Sequence, residues 1–184
     1  MSEFTSYIVA RPFERAWFAG IIIEGEALEG AEMIEMSSSL FTVGVFQDAS
    51  SAEKGLQALL AEGFSSETVS LIAKHSLEVE ELCKSAIGTT ASTMEIHGLG
   101  STCAHGLIVE ALQGSDRLLA RRGIGASVKR IGFQLHDGQI FETLTARGGV
   151  LVAVATDARA SDALTVLLSY GGGNAAISAW LGRV

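Results

Sequence analysis

A chain of 184 residues has the size of one ordinary domain, and with 48% hydrophobic and 18% charged residues it can fill a core rather than stay disordered. Its net charge of −8 withholds the basic field that phosphate backbones require, which argues against nucleic acid as a partner. Two cysteines, Cys83 and Cys103, are too few for a disulfide framework, and no basic segment leads into an apolar one as in a secretion signal.

Residues 1–40 read as an extension. Seven glutamates face two arginines in the first 36 residues, a local balance of −5. Tyr7–Val9 and Phe18–Ile23 suit short strands or apolar arms that dock on a neighbour, and 26–36 suits a short acidic helix. The apolar run Ala16–Ile23 is less than half of the ~20 residues that cross a bilayer, so a cytoplasmic protein without membrane contact is expected.

From Phe41 the chain forms a strand, with Val43 and Val45 alternating against Gly44 and Phe46. Asp48 ends it, and Ser50 with Glu53 has the spacing of a capping box. Ala52, Leu56, Leu59 and Leu60 fall on one helical stripe, Gly63 stands where a left-handed stop belongs, and Val69–Ala73 is a second strand. Residues 74–147 read as a helical insertion. A short helix, Leu77–Ala86, turns Leu77, Leu82 and Cys83 inward, and Thr89–Thr93 is a loop. Gly98, Gly100 and Gly106 lead into a longer helix, Ala104–Arg121, which Gly123 and Gly125 end. Asp137 caps a last helix using Ile140, Phe141 and Leu144.

The strand–helix–strand pattern then returns at 148–184. Ala160, Leu164, Leu167 and Leu168 repeat the stripe, Gly171 repeats Gly63, and Ile177-Ser178 repeats Val69-Ser70, all at an offset of 108 residues. The first strand returns as Val150–Ala155, and Asp157 stands where Asp48 did. A repeat in which strand, stripe and stop keep register marks a duplicated unit. Neither unit, 41–73 or 148–184, buries a sheet face alone. Pairing them into one four-stranded antiparallel sheet, with both helices on one side, is the expected solution. That is a ferredoxin-like α+β sandwich over residues 41–184, whose second sheet face is open unless the inserted helices cover it or an edge.

These residues resemble a known family. Val43-Gly-Val-Phe46, then Ala52 and Leu56 through Gly63-Phe64, is similar to the first half of the bacterial general stress proteins, also called heat-induced stress proteins. Gly123-Ile124-Gly125, a short helix and Arg147-Gly-Gly-Val-Leu-Val-Ala-Val154 resemble its second half. The resemblance implies a stress-response association and brings no catalytic residues. The long glycine-zipper-like segment between the family's halves is short and polar here.

Candidate chemistry is sparse. His97, Cys103 and His105 are a candidate set of three metal ligands without a fourth. Gly98, Gly100 and Gly106 at the entry to a helix, with Arg117 and Arg121 at its far end, are candidates for seating an anion or small ligand. The basic run Arg117, Arg121, Arg122, Lys129 and Arg130 is a solvated face or a contact for an anionic partner. His136 beside Asp137 lacks the geometry of an oriented base, and no cofactor is implied. The expected function is a non-enzymatic stress-response domain acting by self-association, as a homodimer through the open face or an edge strand, or by binding a partner protein. A small-molecule or anion sensor is the rival reading, and an enzyme of unknown class the third.

Overall fold

The computed structural model describes residues 40–178 except Thr89 and Asp157. The elements expected in residues 1–39, the role of Asp157 and the tail after residue 178 lie outside those residues.

Strand β1 (Phe41–Phe46) is buried at every position. Helix α1 (Ala49–Ala61) follows, and it buries Ala52, Leu56 and Leu59 while Leu60 is half-buried. The expected capping box of Ser50 and Glu53 is not formed. Asp48 caps the helix instead, accepting the Ser51 amide at 2.8 Å, while the Glu53 carboxylate accepts the Ser85 hydroxyl at 3.0 Å. An extended aspartate satisfies the first-turn amide just as a serine would, so the helix starts at Ala49 and Ser50 lies inside it. The stop falls as expected. Gly63 has φ +84°, and the Gly63 and Phe64 amides return to the carbonyls of Leu60 and Leu59.

A 3-10 turn (Ser66–Thr68) leads into β2 (Val69–Lys74), and α2 (Leu77–Leu82) widens into a π-helical turn over Cys83–Ile87. Contrary to expectation, Leu77 is 75% exposed, because it is the first helical residue after the Ser76 cap; Val79, Leu82 and Cys83 face the core.

The largest departure lies in the insertion. Residues expected as loop and helix start form a hairpin of β3 (Ser92–Ile96) and β4 (Gly100–His105). Helix α3 (Leu107–Gln113) is accordingly shorter than expected, and α4 (Leu118–Ser127) kinks where Gly123 takes φ +80°. A second 3-10 turn (Val128–Ile131) and α5 (Leu135–Ala146) complete the insertion. The second unit follows as β5 (Val150–Ala155), α6 (Ala160–Ser169) and β6 (Gly173–Ile177). Its helix buries Ala160, Ala163 and Leu167, leaving Leu164 half-buried and Leu168 exposed. Ala160, Ala163 and Leu167 are the equivalents of buried Ala52, Gly55 and Leu59, so the two helices bury the same side, and only Leu164 and Leu168 are less covered than Leu56 and Leu60.

The sheet has six strands, not four, in the order β3-β4-β2-β5-β1-β6, and every pairing is antiparallel. The four strands of the two units are contiguous within it, and the hairpin is added at β2. Central β5 sends Val150, Val152 and Val154 to one face and Leu151 and Ala153 to the other, as strand alternation requires. The first face packs Phe46, Leu56, Leu59, Leu71 and Leu167 with α1, α2 and α6. On the second, Val43, Ile72, Ile108, Leu119, Ile124 and Phe141 build a separate core beneath α3, α4 and α5. Both unit helices thus lie on one side as expected, and the face that two bare units would leave open is filled by the insertion. Among the described residues no helix is long and apolar enough to cross a membrane.

Candidate functional site

The glycine candidates sit at opposite ends of β4. Gly98 (φ +83°) and Gly100 (φ +77°) make the hairpin turn, which the Leu99 amide closes onto the Ile96 carbonyl at 3.0 Å. Gly106 lies six residues further, about 20 Å along a strand rising ~3.3 Å per residue. The structure does not gather the three into one cradle.

At Gly106 the backbone takes φ +92°, and a Cβ there would lie 2.5 Å from Ser70 Oγ. That approach lets Ser70 Oγ accept the Ile108 amide at 3.2 Å, and the Val109 amide returns to the Gly106 carbonyl. Two of the first amides of α3 that an anion would need, those of Ile108 and Val109, are thus already bonded within the protein.

Arg117 and Arg121 are exposed at the start of α4, with Arg117 in the left-handed region at φ 56°. The turn holding Gly98 rests on this helix, through the His97 amide donating to the Ala120 carbonyl at 3.0 Å. Arg130 is occupied elsewhere. It pairs with Asp116 at 2.7 Å and donates to the Gln113 carbonyl, bracing the turn between α3 and α4.

His97, Cys103 and His105 are likewise dispersed. His97 is in the hairpin turn, Cys103 is in the core on the α1 side, and His105 ends β4 half-buried. Among the described residues no three His, Cys, Asp or Glu side chains form a group that would hold a metal ion. Cys83 and Cys103 share one core cluster as free thiols. Burial pushes the Cys83 thiol up to about 11, with Cys103 and Glu80 adding to the effect. Burial, and then Glu80, also raises Cys103. Raised thiols are the reverse of what nucleophilic chemistry requires.

Asp137 serves the start of α5 from within its first turn rather than as the cap residue, its carboxylate accepting the amide of the cap residue Gln134 at 3.1 Å. It stands 3.9 Å from His136, which lines a shallow groove of about 270 Å³ along the same helix. His97, Cys103 and His136 therefore sit on three separate elements.

What the tertiary structure does assemble is a groove of about 550 Å³ at the end of β4. The Ser66–Thr68 turn, the end of the π-helical turn, the start of β3 and the first turn of α3 surround it. Ile87, Leu107 and Val109 give it apolar walls, and Glu67, Glu110 and His105 supply its ionisable groups. Among the described residues no lysine or arginine lines it, and these three side chains have no hydrogen-bond or ion-pair partner. Of the sequence candidates, only His105 and Gly106 reach it. Glu67 and Glu110 carry no motif, so nothing in the sequence singled them out.

Compared with family models, residues 42–138 match the heat induced stress protein YflT domain. The chain belongs to this family. No curated protein and no solved structure shows a significant match. The matched stretch runs from β1 into α5, so it holds every residue of the groove and the Gly123-Ile124-Gly125 kink. The Arg147–Val154 stretch, part of the resemblance read from sequence, lies beyond it. Membership in the heat-induced stress protein family associates the chain with a stress response.

Gly123-Ile124-Gly125 has a structural task in this member. The Gly125 amide donates to Glu142 Oε2 at 2.7 Å, so a carboxylate from α5 caps the second half of α4. A Cβ at Gly123 would lie 2.4 Å from that oxygen and 2.8 Å from the His97 carbonyl.

Proposed function

We propose that this stress-response protein is a non-enzymatic cytoplasmic module that acts by pairing with a second copy of itself along β3. The observation that carries the reading is the sheet edge. Both sheet faces are covered by helices, while among the described residues β3 pairs on one side only, in unbroken five-residue register with β4. The opposite edge, β6, is a poorer template, with a register irregularity against β1 and Asn174 at φ 52°. We read the contiguous strands β2-β5-β1-β6 as a ferredoxin-like core, with the hairpin added so that β3 becomes the outer edge.

Free backbone groups on an edge strand recruit another strand. A two-fold axis through Met94 would set Thr93 of one copy opposite Glu95 of the other, so that edge charges do not oppose each other. Thr93 and Glu95 are both exposed, and their replacement leaves the core untouched.

Sedimentation velocity at micromolar concentration tests the reading. The parent chain should be dimeric, Thr93→Glu should weaken the dimer by opposing like charges, and Thr93→Lys should tighten it. A monomer throughout, or a dimer indifferent to both substitutions, overturns the proposal.

A further inference from the structure

We propose that the groove at the end of β4 is a binding site for a primary ammonium group carried on an aliphatic stem. This goes beyond the pairing of β3 and rests on a different observation, the composition of the groove.

An ammonium brings three donors and no acceptor. The polar lining is rich in acceptors: the Glu67 and Glu110 carboxylates, the hydroxyls of Ser66 and Thr90, and the His105 ring. With no lysine or arginine among the described residues of the lining and a chain charge of −8, the local field repels anions and draws cations. The stem finds its place along Ile87, Leu107 and Val109. Leu107 is 42% exposed, so covering it adds apolar burial to the electrostatic attraction. The volume of about 550 Å³ lies within the ordinary range for small-ligand sites. A bare metal ion is a poorer occupant, since Glu67, Glu110 and His105 are not grouped as ligands.

The same chemistry is presented by a free diamine and by a lysine side chain of a protein. Thermal unfolding of the full chain, with pentane-1,5-diamine, with an acetylated and amidated Ala-Lys-Ala peptide, and with glutarate, separates the sources. At tenfold excess over its dissociation constant, the bound amine should raise Tm by about 3–6 °C. The shift should shrink with added salt and vanish in the Glu67→Gln/Glu110→Gln double variant, and glutarate should give none. A shift with the diamine alone assigns the site to free amines, and a shift with the peptide assigns it to protein lysines. The absence of any shift at millimolar amine, or an equal shift in the double variant, overturns the proposal. Both carboxylates are exposed and have no partner among the described residues, so the double variant keeps its fold.

Discussion

Arg159 Nη2 donates to the Glu62 carbonyl at 2.9 Å, joining the start of the second unit's helix to the end of the first unit's helix. The same guanidinium lies 4.1 Å from the Phe64 ring centroid and 3.3 Å from Asp162. One side chain thus satisfies a helix-terminal carbonyl, covers an aromatic face and fixes how α1 meets α6.

Arg159→Ala should therefore destabilise the fold by about 1–2 kcal/mol, the sum of a carbonyl hydrogen bond and a partly exposed cation–π contact. Arg159→Lys should recover less than half of that, because an ammonium cannot both stack on the ring and reach the carbonyl. Urea unfolding of the three proteins measures it, and equal midpoints would refute the assigned role.

Gly123→Ala should be far more costly. The position has φ +80°, and a Cβ would overlap both Glu142 and the His97 carbonyl, for a loss of about 2–4 kcal/mol. Glu142→Gln keeps an acceptor for the Gly125 amide and should cost less than Glu142→Ala. Chemical denaturation of the set would show whether the ranking holds.

The two thiols should be silent in the native state. A thiol reagent at pH 8 should titrate neither Cys83 nor Cys103 until denaturant is added, since both are buried and burial raises both. The sign for stability follows directly. A thiol raised from 9.0 to about 11 contributes stability that is complete below 9 and is lost as pH rises through 11. Alkaline melts should accordingly show a steeper fall in Tm for the parent than for Cys83→Ala.

Asp48 gives the opposite sign. Its carboxyl is held below the ordinary value of 3.8, chiefly by the hydrogen bond from the Ser51 amide. That contribution is present above 3.8 and is lost as pH falls through the lowered value. The Tm difference between the parent and Asp48→Asn should be largest near neutrality and close at acid pH. A difference independent of pH would assign the cap to hydrogen bonding without charge.

The repeated unit could be read from sequence because its signals are local. A helix stripe, a capping side chain and a glycine at positive φ each act within a turn or two, so β1, α1, β2, β5 and the stop at Gly63 follow from neighbouring residues. The β3–β4 hairpin was missed for the complementary reason. Ser92–Ile96 and Gly100–His105 are short and mostly polar, and they become strands by pairing with each other and with β2. Once the hairpin extends the sheet, the inserted helices have a second face to fill. The order β3-β4-β2 then brings the turn at Ser66, the chain near Thr90 and the start of α3 around one groove. By itself the sequence determined the duplicated unit, the stops at Gly63 and Gly171 and the family, while the stop it placed at Gly123 and Gly125 falls inside α4. The tertiary structure alone decided the covered second face, the place of β3 at the edge of the described sheet and the lining of one groove by Glu67, His105 and Glu110, because these depend on which distant segments the sheet order makes neighbours.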